Sequence, residues 1–230
     1  MSESTVPNHI GYIIDGNRRW AKKHGLPNYE GHLAGYNTVK EIVTETFKSG
    51  VKNISVYSFS TENYKRDKDE VRKITRLHLR LLTTDLKIFI ENDIKLVVLG
   101  HREKVGKRII NAIENAEAKT ANNTAGMLAI CFNYGGQLEI VDAVKKIVSK
   151  KVPIEKIDAK LIDRNIYEPN LPPIDLVVRT SGEHRLSNFM LWRIAYSEII
   201  FINKLWPDMK KEDLKAVLKE FNMRVRRFGK

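Results

Sequence analysis

Short β-rich runs alternate with longer segments of helical periodicity, and most of the short runs are continuously apolar rather than alternating. No internal repeat or low-complexity tract interrupts that order, and 230 residues suit one domain. These observations predict an α/β fold: a single domain over residues 1–230 with a central, largely parallel six-stranded sheet flanked by helices.

The strands are expected at His9–Asp15, Asn53–Phe59, Ile94–Leu99, Met127–Asn133, Ile174–Arg179 and Glu198–Ile202. Strands of a parallel sheet are covered on both faces, which is why they read as apolar runs. Helical patterns fill the intervals at roughly Gly31–Lys48, Asp67–Glu91, Glu103–Thr120, Gln137–Lys150, Glu155–Asn165 and Lys211–Arg226. The Asp67–Glu91 segment carries Val71, Ile74, Leu77, Leu81 and Ile88 along one stripe, with Leu79, Leu82, Leu86 and Phe89 along an adjoining one. That arc is wider than a one-faced surface helix requires. Such a helix can back onto the sheet and line an apolar cavity, or be buried between the sheet and a partner subunit.

Composition bounds the partners. Hydrophobic residues make up 42% and charged residues 30% of the chain, which excludes a disordered protein. Forty Lys and Arg against 28 Asp and Glu leave a net charge of +12, suited to nucleic acid, an acidic membrane surface or phosphorylated small molecules. A solvated basic surface accounts for the surplus as well. The single cysteine, Cys131, lies in the apolar run Met127–Phe132 and reads as core; one thiol makes no intrachain disulfide, consistent with a reducing cytosol. The first residues lack the pattern of a signal peptide, and no apolar run approaches the ~20 residues of a membrane-spanning helix. The expected location is cytoplasmic, with peripheral contact at a membrane surface left open.

In open parallel sheets ligands bind beyond the carboxyl ends of the strands, so the residues following each strand carry the chemistry. The first strand is followed by Asp15-Gly-Asn-Arg-Arg-Trp20. A carboxylate supplies a hard ligand for a divalent cation, and a glycine turn with two arginines suits a diphosphate. Asp-Gly-Asn is otherwise an ordinary turn. The second strand ends in Ser58-Phe-Ser-Thr-Glu-Asn-Tyr-Lys-Arg66, a concentration of hydroxyls, an amide, an acid and a guanidinium that also reads as a capped polar loop. After the fifth strand, Arg179-Thr-Ser-Gly-Glu-His-Arg-Leu-Ser187 resembles a second anion cradle or a solvated loop. Three such loops at three strand ends are harder to attribute to chance than any one. Familiar signatures fail: Gly100-His-Arg-Glu-Lys-Val-Gly106-Lys107 has one residue too many between its glycines for a P-loop, and Arg108 follows where Ser or Thr should stand. No Gly-x-Gly-x-x-Gly, no Asp-Asp-x-x-Asp and no zinc-ligand spacing occurs.

These residues, in this order, resemble the cis-prenyltransferases. The matching segments include His9 to Ala21, Gly31-His-Leu-Ala-Gly35, Tyr57 to Asn63, Phe132-Asn-Tyr-Gly-Gly136, Asp175 to Arg185 and Leu205-Trp-Pro-Asp208. The resemblance implies a parallel-sheet domain with a hydrophobic tunnel, usually a homodimer. Its substrates would be isopentenyl diphosphate and an allylic prenyl diphosphate, condensed into a cis-polyprenyl diphosphate. By the same resemblance Asp15 would hold Mg²⁺, with Gly16, Asn17, Arg18, Arg19, Trp20 and His32 around the allylic diphosphate. Asn63 would help relay the proton lost from isopentenyl diphosphate, within a site shaped by Ser60, Thr61, Glu62, Tyr64 and Arg66. Arg179, Arg185 and Ser187 would bind isopentenyl diphosphate, and Glu198 would complete its metal site. Arg227-Phe-Gly229 resembles an element that reaches the partner subunit.

The chemistry is consistent with this resemblance. Carbon–oxygen cleavage leaves a diphosphate whose charge cations must meet, and a growing prenyl tail needs a dry conduit. Three positions depart from the common pattern: Asn28 stands in place of an arginine, Arg18 in place of a glycine, and Tyr64 in place of a tryptophan. An enzyme making a short or irregular prenyl diphosphate is the nearest alternative. A non-catalytic partner subunit would be expected to have lost Asp15 or Asn63, and both are present. A basic RNA-binding module would interleave exposed aromatics with Lys and Arg, whereas the phenylalanines here lie mostly in apolar runs, so nucleic acid is not an expected partner.

Overall fold

The computed structural model describes residues 6–224. Its six strands are β1 (His9–Ile13), β2 (Asn53–Ser60), β3 (Ile94–Leu99), β4 (Gly126–Tyr134), β5 (Leu176–Arg179) and β6 (Glu198–Phe201). They form one all-parallel sheet in the order β3-β4-β2-β1-β5-β6. Every expected strand is present, with ends shifted by a few residues. The first stops at Ile13 because the chain bends there, Asp15 N–H donating back to Ile13 O at 3.0 Å.

The helices are α1 (Asn17–Lys23), α2 (Asn28–Lys48), α3 (Lys68–Leu82), α4 (Leu86–Glu91), α5 (Lys107–Thr120), α6 (Gly136–Ser149), α7 (Ala159–Asp163) and α8 (Lys211–Met223). Three of them correct the sequence reading, one being the expected Glu155–Asn165 helix, which is reduced to a 3-10 turn at Ile154–Lys156 and the five residues of α7. The Asp-Gly-Asn turn launches α1, which periodicity does not reveal because seven residues are too few. Gly16 enters it at φ 112°, a conformation that Cβ-bearing residues avoid. The expected Asp67–Glu91 helix is broken between α3 and α4. There the Thr83 hydroxyl donates to Leu79 O, while the Asp85 carboxylate accepts from the Tyr36 hydroxyl and from Lys40 at 3.0 Å. Those bonds compete with a continuous helical ladder.

Alternate strand residues feed two cores. Ile10, Tyr12, Ile54, Val56, Leu128 and Val178 pack against the side that carries α2, α3, α5 and α8. On the other face Tyr57, Ala129, Cys131 and Val177 meet Phe189 and Met190, and Cys131 is fully buried core as expected. Between α2, α3 and the sheet lies a cavity of about 60 Å³, apolar over most of its wall. It is a small space, and a hydrophobic tunnel is not shown there. No helix among the described residues is long and apolar enough to cross a membrane.

Candidate active site

The carboxyl ends of β1, β2 and β5 open into a cleft of about 1240 Å³. Asp15 sits at its base, just beyond β1. One carboxylate oxygen accepts from the Gly16 N–H at 2.7 Å; the other accepts from Arg179 Nη2 at 2.8 Å, with Arg19 at 3.5 Å. Burial pushes the Asp15 carboxyl up, but the Arg179 bond and charge, Arg19 and the Gly16 amide outweigh it and hold it below the usual carboxylate range.

Arg179, the last residue of β5, joins the first and third loops. Its Nη1 donates to Ser187 Oγ at 2.8 Å and to the Arg185 carbonyl. The residue is 3% exposed, and its Nε is buried without a partner. Thr180 adds a second tie, its hydroxyl donating to Asp15 O at 2.7 Å. Arg19 reaches Ser181 O and Glu183, each at 3.1 Å, and Glu183 also pairs with the exposed Arg185.

After β2, residues Thr61–Lys65 form a short 3-10 helix with a capping box: Ser60 N–H donates to Asn63 Oδ1 at 3.2 Å, and the Ser60 side chain accepts from the Asn63 backbone. That box presents Ser60, Glu62, Asn63 and Arg66 to the cleft. Burial pushes the Glu62 carboxyl up, but hydrogen bonds from its own backbone, Ser60, Thr61 and Asn188 bring it lower overall.

The cleft wall also includes Gly16, Asn17, Arg18, Arg19, Arg185, Ser187 and His32. Asn17 is wedged against α2, where a Cβ on Gly35 would lie 2.2 Å from its Oδ1; only glycine permits that approach. Trp20, Thr61 and Tyr64 are not on the wall. Trp20 turns away, donating from Nε1 to Asp208 at 2.7 Å and packing on His24. Tyr64 meets Phe59 edge-on at 5.0 Å, within the core cluster.

Glu198 is not brought to Asp15. It opens β6 in register with Leu176, which faces Ile10, so it lies toward the amino end of the sheet while Asp15 lies beyond the carboxyl end. Its carboxylate pairs with Arg224 at 2.9 Å. Sequence order places Glu198 near a strand boundary without saying which end of the sheet that boundary occupies.

One organising residue escaped the sequence reading. Glu70, in the first turn of α3, lies behind the cleft wall and is hydrogen-bonded to His32 Nε2 at 3.0 Å and Asn28 Nδ2 at 3.3 Å. Arg66 stands at 3.5 Å and Arg18 at 3.7 Å. Burial raises the Glu70 carboxyl, but His32 and the two arginines bring it below its ordinary value. Burial, more than Glu70 opposes, pushes His32 below the ordinary imidazole value. In sequence Glu70 is one more acid in a helical first turn behind the N-cap Asp67, a common arrangement with no functional signal.

The described geometry is an arginine-rich cleft on whose wall Asp15 and Glu62 stand, with a small apolar cavity behind it, a setting suited to polyphosphorylated compounds. The family model "Putative undecaprenyl diphosphate synthase" matches residues 13–229. A tritrans,polycis-undecaprenyl-diphosphate synthase (geranylgeranyl-diphosphate specific) of Pyrococcus horikoshii is 41% identical over all of this chain and 89% of its own length. Isoprenyl transferase 1 of Tropheryma whipplei is 39% identical over all of this chain and 94% of its own. The crystal structure of lavandulyl diphosphate synthase from Lavandula x intermedia in complex with dimethylallyl diphosphate matches with a TM-score of 0.93 at 32% identity, covering 98% of this chain and 99% of that one. Fold and likeness together define a prenyltransferase. The chain belongs to the undecaprenyl diphosphate synthase family of isoprenyl transferases.

Proposed function

We propose that the protein is a Mg²⁺-dependent cis-prenyltransferase that condenses isopentenyl diphosphate with an allylic prenyl diphosphate in this cleft, making a cis-polyprenyl diphosphate. The observation that carries the reading is Arg179: a buried guanidinium with an unpartnered Nε, paired with the Asp15 carboxylate on the wall of a cleft rich in arginine. A buried polar group without a partner is costly unless a ligand meets it.

Arg18, Arg19 and the Gly16 turn bind the allylic diphosphate and stabilise the charge it develops on leaving. Arg179, Arg185 and Ser187 orient isopentenyl diphosphate across from it. The Asn63 side chain, held by the Ser60 capping box, guides the proton that the isopentenyl unit loses on condensation toward the departing diphosphate.

Among the described residues no three His, Cys, Asp or Glu side chains cluster as a preformed metal site. Asp15 and Glu62 are the carboxylates on the cleft wall, which fits Mg²⁺, an ion that keeps several waters and commonly binds through one or two carboxylates plus substrate phosphates. Asp15 would hold it, and the ion would supply neutralising charge to the leaving diphosphate.

A short product is the second reading, favoured by the cavity of about 60 Å³. Homodimer formation is supported by Val141, Val144 and Val148, exposed along α6, and by Tyr196, which is 80% exposed. The Arg227-Phe-Gly229 element lies outside the described residues. We place the protein in the cytoplasm, with its basic surface able to rest on an acidic membrane from which a prenyl product departs.

The test is incubation with Mg²⁺, isopentenyl diphosphate and allylic diphosphates of graded length, followed by sizing of the products. Prenyl diphosphates that disappear on chelation are expected. A folded protein that makes none from any primer overturns the proposal.

A further inference from the structure

The Tyr134-Gly135-Gly136 turn after β4 lines no part of the cleft, yet it packs against a residue that does, Asn188. A Cβ on Gly135 would lie 2.8 Å from Asn188 Nδ2 and 3.2 Å from Thr61 Oγ1; one on Gly136 would lie 3.0 Å from Asn188 O. Gly135 stands at φ −155° and ψ 130°, extended backbone that any residue adopts. What this glycine supplies is room.

Asn188 fills that room with three hydrogen bonds. Its carbonyl accepts the Gly136 N–H at 2.7 Å and its Oδ1 accepts the Gln137 N–H at 2.8 Å. It thereby caps α6, whose own N-cap residue Gly135 has no side chain to offer. The remaining amide N–H donates to the Glu62 carboxylate on the cleft wall. Ser187 and Asn188 stand at φ 50° and 65°, a left-handed corner that persists only where the surroundings over-determine it. Just beyond, Phe189 and Met190 are fully buried, and Phe189 stacks on Tyr57 at 5.2 Å. The corner is therefore anchored on one side by the core and on the other by α6. From it Ser187 Oγ meets Arg179 Nη1 at 2.8 Å.

Arg179 ties the first loop to the third; Asn188 ties the second to the third. The two groups that it aims, Ser187 and Glu62, belong to the half of the cleft assigned above to isopentenyl diphosphate. We infer that Asn188 is a positioning residue for the isopentenyl diphosphate site: it fixes the spacing between the loops after β2 and β5, and the Gly135-Gly136 pair is there to seat it. The inference rests on the prenyl-transfer reading.

The experiment measures steady-state kinetics, with each substrate varied in turn, and thermal unfolding for the unmodified protein, Asn188→Asp, Asn188→Gly, Gly135→Ala and the double variant Gly135→Ala with Asn188→Gly. Asn188→Asp keeps an acceptor for the Gln137 N–H, so α6 stays capped and Tm is expected to hold. It loses the donor to Glu62 and sets a like charge against it. The isopentenyl diphosphate KM is expected to rise about tenfold, as for a lost charge-assisted bond, with the allylic KM within about twofold of its original value. Gly135→Ala pushes a methyl against the Asn188 amide and is expected to raise the same KM. Once Asn188→Gly is present that methyl has nothing to displace, so the double variant is expected to be no worse than Asn188→Gly alone. A residue that merely caps α6 would be fully rescued by aspartate. An unchanged isopentenyl diphosphate KM in folded Asn188→Asp, or an equal rise in both KM values, therefore overturns the inference alone. Additive losses in the double variant overturn the seating by Gly135. Absence of any prenyl product from the unmodified protein overturns the transfer reading and this inference with it. Should Asn188→Asp fail to fold, Gly135→Ala decides on the same split between the two KM values.

Discussion

Two arginines are almost equally buried, Arg193 at 4% and Arg179 at 3% exposure, yet their surroundings differ in kind. Arg193 spends every nitrogen: Nε on Leu171 O, Nη1 on Glu139 at 3.1 Å, and Nη2 on Tyr167 O and Glu168 O. Glu139, itself fully buried, also accepts from the Tyr134 hydroxyl and the Tyr167 N–H. Arg179 instead leaves Nε bare, and its partner Asp15 remains open to the cleft. A desolvated pair is tolerable when all its donors and acceptors are met. The completed pair is architecture; the incomplete pair borders the cleft, where an anion is proposed to bind.

The sharpest way to break the comparison is to remove one member of each pair. Arg193→Met leaves Glu139 charged and buried, and a loss of about 3–5 kcal/mol in unfolding free energy is expected. Chemical denaturation measures it, and a loss near zero would mean the pair is not a strut. Asp15→Ala is expected to lower turnover by roughly two orders of magnitude or more, as for lost charge stabilisation at a developing anion. Its stability loss should be the smaller of the two, because water from the cleft can reach Arg179. Near-normal turnover in folded Asp15→Ala would remove Asp15 from the chemistry.

Glu70 belongs to the same comparison, being a carboxylate surrounded by cations but placed behind the wall. Glu70→Gln keeps the shape and weakens the hold on His32, Arg18 and Arg66. Losing part of a charge-assisted bond of about 1.5–3 kcal/mol should raise the allylic KM about tenfold with a smaller change in kcat. An unchanged KM would show that the arginines need no such support.

How far sequence reading reached follows from what each feature depends on. The parallel sheet was legible because strands buried on both faces must be continuously apolar, as Ile54–Tyr57 and Leu128–Phe132 largely are. Asp15, Arg179, Arg185 and Ser187 were legible as neighbours because strand ends converge. The α1 helix was not, since Asp-Gly-Asn reads as a turn and seven residues show no period. The separation of Glu198 from Asp15 within the chain was not legible, because it depends on the register of β5 and β6, a tertiary fact. Glu70 was invisible because its importance comes from four side chains brought to it from α1, α2 and the loop after β2, none of them its neighbours in a recognisable motif. Trp20 and Tyr64 lie beside cleft residues in sequence yet point elsewhere, as helical turns require.

Asn28 offers the smallest and most informative test. It is the first residue of α2, lines the cleft and donates to Glu70 at 3.3 Å. An arginine at this position would bring a further cation to the incomplete side of the comparison. A charge-assisted bond to phosphate can contribute about 1.5–3 kcal/mol. Two features reduce that figure here. The start of a helix disfavours a cation by about 0.3–1 kcal/mol. Arg18, already beside Glu70 and half exposed, supplies charge to the same region. Asn28→Arg is therefore expected to tighten the allylic primer by about 1 kcal/mol, roughly fivefold in Kd, with kcat little changed. Calorimetric titration with the primer measures it. The double variant Asn28→Arg with Arg18→Gly separates the two cations: if Arg18 covers the contact in the natural protein, the gain from the new arginine grows once Arg18 is gone. Equal gains in both backgrounds would show that the two positions serve different phosphate oxygens.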